Sequence, residues 1–142
     1  MIYTELTKKA LKLMFEAHKD QVDKCGMPYV FHPFYLANQM DDEISTVVAL
    51  LHDVIEDTSY TFSDLLDLGF PPVVCDTLKF LTHDENVNYL DYVRNIKQNE
   101  IATKVKIADL KHNSDLSRLD NVTTKDYERV TKYKQALEIL TK

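Results

Sequence analysis

The chain has 142 residues, 44% hydrophobic and 28% charged, the size and balance of one domain that buries a core without disulfide or metal staples. A formal charge of −6 excludes the clustered Lys and Arg of a sequence-independent grip on DNA or RNA, although a bound cation can reverse the field locally for a small anionic ligand. Only two glycines, Gly26 and Gly69, turn the chain, which disfavours a β-rich fold and favours helices on short polar links.

Leu6, Ala10, Leu13, Met14 and Ala17 recur at three-and-four spacing and predict a helix from about Thr4 to Val22, broken by Lys24-Cys25-Gly26-Met27-Pro28. A second helix opens near His32, with Pro33 in its first turn. The third, capped by Asp41 or Asp42, carries an apolar stripe of Ile44, Val47, Val48, Leu51 and Ile55. Thr61-Phe62-Ser63-Asp64 has capping-box spacing and starts a short helix ended by Gly69. Pro71 and Pro72 open another, with Val73, Val74, Leu78 and Leu81. A further helix spans about Val87 to Lys97 through Leu90, Val93 and Ile96. The next runs from about Glu100 to Asn113 and buries Ile101, Val105, Ala108 and His112. The last covers about Thr124 to Leu140, with Tyr127, Val130, Leu137 and Leu140 inward. No repeat or flexible linker interrupts the series, so residues 1–142 are expected to form a single all-α helical bundle.

Cys25 and Cys75 stand far apart with no CxxC, the pattern of two reduced thiols. The N-terminal segment carries Lys8, Lys9 and Lys12 and lacks the apolar block of a signal peptide. The longest apolar run, Val47 to Leu51, is too short to span a bilayer, so a cytoplasmic place without membrane contact is expected.

The chemistry concentrates in Leu51-His52-Asp53-Val54-Ile55-Glu56-Asp57-Thr58. At helical spacing His52 and Glu56 share one face, as do Asp53 and Asp57. Carboxylates beside Val48, Leu51 and Ile55 are costly to bury unless something positive pairs with them, and no Lys or Arg lies within the stretch. A divalent cation supplies that charge; the alternative is a solvated helix end. His32, before Pro33, and Asp109, in Lys106-Ile107-Ala108-Asp109-Leu110, are two more polar residues in apolar surroundings. Together with His52 and Asp53 they form a two-His, two-carboxylate set that suits Mn²⁺, Fe²⁺ or Zn²⁺ with positions left open for water and a phosphate oxygen. Spacing alone does not say that they converge.

Four segments resemble the alarmone-hydrolase branch, the RelA/SpoT type, of the HD-superfamily phosphohydrolases. They are Ala17-His18 through Gln21, Gly26 through Pro33, His52 through Thr58, and Val105 through Asn113, in the family's order. The resemblance implies an all-α fold binding one Mn²⁺ through His32, His52, Asp53 and Asp109. It implies that Glu56 and Asp57 position or activate the attacking water and that Asn113 contacts substrate. The reaction it implies is removal of pyrophosphate from the ribose 3′ position of guanosine tetra- or pentaphosphate, in a small hydrolase-only form. Lys24, and Arg118 with it, are candidates for offsetting charge on the substrate phosphates. Asp23 is a departure: the family usually carries there an Arg that stacks on guanine, and only Lys24 preserves the adjacent basic residue. Two other readings follow, a phosphohydrolase for another nucleotide or phosphoester, and a non-catalytic nucleotide sensor.

Overall fold

Helix starts fall where the sequence supplies an oxygen for the orphan N–H groups of a first turn. Thr4, Asp42, Thr61, Asn88, Asn99 and Thr123 each accept a hydrogen bond from a backbone amide two or three residues on. A computed structural model describes residues 1–142 as all-α. Its helices are α1 (Glu5–His18), α2 (Phe31–Asn38), α3 (Glu43–Leu51), α4 (Val54–Asp57), α5 (Phe62–Asp67), α6 (Pro72–Phe80), α7 (Tyr89–Ile96), α8 (Glu100–Asn113) and α9 (Thr124–Thr141). A 3₁₀ turn at Leu116–Arg118 links α8 to α9, and the only β pairing is an isolated antiparallel bridge between Val22 and Pro28.

The third helix is the axis of the fold. Every residue from Ser45 to Leu51 is buried, and α3 packs against α1, α2, α6 and α8. Its Val47, Val48, Leu50 and Leu51 lie in one connected core of 26 buried residues, which Leu36, Leu78, Ile96 and Val105 join from other helices. A helix apolar all round and covered on all sides holds whatever its C-terminal end presents in a fixed place. That end is His52.

Three sequence expectations need correction. The apolar stripe carried the third helix on through Ile55, but the helix breaks at His52-Asp53, where Asp53 has φ −108° and ψ 1°, and α4 restarts at Val54. The cause is local: the His52 ring hydrogen-bonds the Ala49 carbonyl at 2.7 Å, a carbonyl that a continuing helix would give to the Asp53 amide. The first helix likewise ends at His18, because Val22 turns out to pair with Pro28 and the Asp23 carboxylate gathers the amides of Cys25 and Met27 at 2.8 and 3.0 Å around Gly26. Gly26, at φ 77°, supplies the left-handed residue this turn requires. Tyr127 and Val73, expected inward, are 58% and 45% exposed. In α9 the inward position goes to Asp126, whose carboxylate takes the Thr123 amide and the Arg129 guanidinium.

That Asp126 network caps the N-terminus of α9. Hydrogen bonds from the Thr123 amide and Arg129 hold its carboxyl down at about 2. A depressed carboxyl stabilises the fold above its unfolded pKa, about 4, and loses that contribution as the pH falls through the folded value. Asp126→Asn is expected to lower Tm at pH 7, with the gap to wild type narrowing between roughly pH 4 and pH 2. Thermal melts across that range check it; a gap that stays constant down to pH 2 would contradict the assignment.

Candidate active site

Three helices deliver three side chains to one point. His32 comes from the first turn of α2, His52 from the break after α3, and Asp109 from the buried face of α8. All three are buried, and one donor atom from each lies within 4.8 Å of the other two. His32 Nε2 is 2.9 Å and His52 Nε2 3.5 Å from Asp109 Oδ1, and His52 Nε2 is 3.1 Å from Asp53 Oδ2. In the neutral ring, donating Nδ1–H of His52 to Ala49 leaves Nε2 as the lone-pair nitrogen. That nitrogen is buried and has no hydrogen-bond partner, although carboxylate oxygens surround it. Lone pairs facing lone pairs in a buried site are what a cation resolves, and the nitrogen-and-oxygen donor set without thiolate suits a first-row divalent ion.

The surrounding groups set protonation and orientation. His32 Nδ1 lies 2.7 Å from His112 Nδ1, the two rings are stacked, and Tyr35 stacks on the far side of His112. Burial, and then the Arg118 charge, pushes His112 down to about 4, so it stays neutral, and its Nδ1 and that of His32 share one proton. Burial also pushes His32 down from its ordinary value. For Asp109 burial acts upward, but the Lys106 ammonium, 3.0 Å from Oδ2, and the His32 hydrogen bond more than offset it and hold the carboxyl well below its usual range. Asn113 donates to Asp109 Oδ1 at 3.0 Å.

Asp53 stands beside the cluster rather than within the three-way contact, with the Tyr29 hydroxyl donating to its Oδ2. Burial, and then the charges of Asp109 and Asp57, raise its carboxyl well above the usual range, a penalty that a cation alongside would remove. Glu56 and Asp57 diverge from α4 into different spaces. Glu56 accepts the His83 amide and lines a cavity of about 120 Å³ with His52, Lys106 and Tyr92. Asp57 lines a second cavity of about 340 Å³, whose wall also includes His32, Asp53, Lys24 and Asn113. Burial lowers the Lys24 ammonium somewhat from its ordinary value.

Several residues here carried no role in the sequence reading. Gln21 takes the His18 ring nitrogen at 2.8 Å and donates to the Asp57 carbonyl at 3.1 Å, tying α1 to α4. Lys106, three residues before Asp109 on one helical face, was findable by spacing; Arg129 and Tyr133, which line the larger cavity from α9, were not. Asp23 proves to be spent within the protein: one oxygen holds the Gly26 turn and the other lies 3.4 Å from Arg118.

Comparison with known proteins gives the following similarities. No family model matches the chain. The bifunctional (p)ppGpp synthase/hydrolase SpoT of Escherichia coli is 32% identical over 120 residues, 75% of this chain and 17% of that protein. The guanosine-3′,5′-bis(diphosphate) 3′-pyrophosphohydrolase of Haemophilus influenzae is 33% identical over 113 residues, 69% of this chain and 16% of that protein. The GTP pyrophosphokinase of Myxococcus xanthus is 31% identical over 143 residues, 89% of this chain and 19% of that protein. The chain thus spans less than a fifth of the length of these curated relatives. Among solved structures, a metazoan ortholog of SpoT that hydrolyzes ppGpp superimposes with a TM-score of 0.81 at 24% identity, covering 99% of this chain and 88% of that one. The all-α fold and the resemblance to the SpoT-type hydrolase domain are borne out.

If the cluster holds an ion, binding stabilises the folded state by RT ln(1 + [L]/Kd), roughly 2.7 kcal/mol at a hundredfold excess over Kd. Thermal melts of the wild-type chain with added Mn²⁺ are expected to rise by several degrees. His52→Ala is expected to abolish the rise, and an equal rise in that variant would remove His52 from the cluster's function.

Proposed function

We propose that this chain, with the fold of a metazoan SpoT ortholog and sequence similarity to bacterial SpoT-type proteins, is a metal-dependent 3′-pyrophosphohydrolase of guanosine-3′,5′-bis(diphosphate). The observation that carries the reading is the buried, unpartnered Nε2 of His52, 3.1 Å from Asp53 Oδ2, where Asp53 and His32 line the cavity that also presents Lys24, Arg118 and Arg129. His32, His52, Asp53 and Asp109 would hold one divalent ion, Mn²⁺ in this reading. When bound, that ion supplies Lewis-acid polarisation of the phosphoryl oxygen and lowers the pKa of water.

This chain's residues do the rest. With the ion bound, His112 and the Ala49 carbonyl would each take an imidazole Nδ1–H, leaving both Nε2 atoms to face the ion, and Lys106 keeps Asp109 ionised. Glu56, fixed by the His83 amide, and Asp57, on the cavity side, orient the attacking water and accept its proton. The water oxygen bonds to the phosphorus attached to the ribose 3′ oxygen. The bond between them breaks, the ribose oxygen takes a proton, and pyrophosphate leaves. Asn113 and Lys24 hold the substrate in the cavity, with Lys24 offsetting phosphate charge. The domain extends over residues 1–142 and acts on a free nucleotide in the cytoplasm; no helix is long and apolar enough to cross a membrane.

Asp23 favoured a different nucleotide as substrate. Its engagement with the Gly26 turn and Arg118 weakens that ground, since a paired carboxylate repels an anion less.

Incubation of the Mn²⁺-loaded protein with guanosine polyphosphates, other nucleotides and simple phosphoesters tests the reading. Pyrophosphate release from the tetraphosphate is expected; orthophosphate from another nucleotide, or binding without turnover, would replace it. Glu56→Gln is expected to keep its metal, measured by elemental analysis, while turnover falls at least 100-fold, the lower range of general-base contributions being about that size. An active Glu56→Gln protein would take that residue out of the mechanism.

A further inference from the structure

We propose that Arg118, locked by Asp23, is the residue that selects a nucleotide carrying a second phosphate group away from the scissile one. This deepens the hydrolase reading and rests on it.

The sequence Asp115-Leu116-Ser117-Arg118 builds the placement. Asp115 Oδ1 accepts from the Ser117 amide at 3.0 Å, closing the 3₁₀ turn that ends α8 and returns Arg118 to the cavity wall. There Nη1 donates to the His112 carbonyl at 2.8 Å, and Nη2 lies 3.4 Å from Asp23 Oδ2. The two side chains are only 23% and 13% exposed. A long cationic side chain on a surface turn normally stays solvated and mobile. This one is held from two sides before any ligand arrives, so little ordering entropy remains to be lost on binding. A guanidinium has five N–H donors, and these two bonds leave donors for a further acceptor.

The acceptor that fits is a phosphate. The cavity of about 340 Å³ has His32, Asp53 and Asp57 on its wall with Lys24, Arg118 and Arg129. A substrate with a phosphate at the His32 cluster therefore shares its cavity with three cationic side chains. Arg118 has the planar fork suited to phosphate, and the Asp23 pairing sets its position. The His112 residue whose carbonyl anchors Arg118 also places its ring against His32, so the guanidinium and a cluster imidazole are referenced to the same turn of α8. Asp23 is then a positioning residue acting through Arg118.

Calorimetry on the metal-free protein, which needs no turnover, separates this from a structural strut. The probes are guanosine-3′,5′-bis(diphosphate) and guanosine 3′-diphosphate with a free 5′ hydroxyl. Wild type is expected to prefer the first by at least about tenfold. In Arg118→Ala its affinity is expected to fall roughly 10- to 100-fold, the range for losing a charge-assisted hydrogen bond. Affinity for the second probe should move less than about threefold. Arg118→Lys should recover part of the loss, and Asp23→Asn, which still accepts the loop amides, should shift selectivity the same way by less. If Arg118→Ala does not fold, the Lys and Asn variants decide on the same ratio. An equal loss for both probes, or none for either, overturns the proposal. A Mn²⁺-loaded wild type that hydrolyses neither probe, with the selective loss kept in calorimetry, would refute the hydrolase reading and leave this one standing; hydrolysis by the loaded protein without the selective loss would do the reverse.

Discussion

A buried imidazole nitrogen whose lone pair meets only carboxylate oxygens is the constraint on which the site depends. His52 donates Nδ1–H to the Ala49 carbonyl and presents Nε2 to Asp109 and Asp53. Hydrogen bonding within the protein leaves that nitrogen unsatisfied, and an orphaned buried polar group is destabilising. The surrounding groups preserve this state. Lys106 keeps Asp109 anionic and His112 holds the His32 ring through Nδ1 with Nε2 turned to Asp109, so donor atoms converge where something positive can arrive from outside.

The fold reads as the means of holding that arrangement. A helix buried on all sides fixes His52 at its end, and the histidine's own hydrogen bond to the helix interrupts it there. The interruption lets α4 carry Glu56 and Asp57 to opposite sides of the cluster, one against the His83 amide and the other on the substrate-sized cavity. Gln21 braces the same segment from α1 through the Asp57 carbonyl. The cluster is thus held rigid by bonds that its own donor atoms do not make, from Ala49, His83 and Gln21.

Much of this was legible in the sequence because the signals are local. Thr61 with Asp64, Asp42, and Pro72 mark helix starts that hold to the residue or nearly so, and the bounds of the Glu100–Asn113 helix match the reading, although of its expected inward residues only Val105 is fully buried. His32, His52 and Asp109 stand out in the sequence as polar interruptions of apolar runs, while their convergence is visible only in the structure. What was not legible depends on distance in sequence. Nothing local says that Asp23 will meet Arg118 across 95 positions, or that Arg129 from α9 will line the cavity near His32. The break at His52 was hidden for a different reason: apolar periodicity reports which face is buried, and it continues through a kink that a side-chain hydrogen bond creates. Tyr127 was misplaced because a capping carboxylate, Asp126, took the inward position that periodicity assigns to an apolar residue.

The central claim is that His32, His52 and Asp109 close on one divalent ion. Anomalous diffraction at the manganese edge, from crystals grown with Mn²⁺, tests it most directly. The account requires a single strong peak about 2 Å from His32 Nε2, His52 Nε2 and a carboxylate oxygen of Asp109. A cluster without anomalous signal, with His52 Nε2 hydrogen-bonded to protein or water instead, would contradict it.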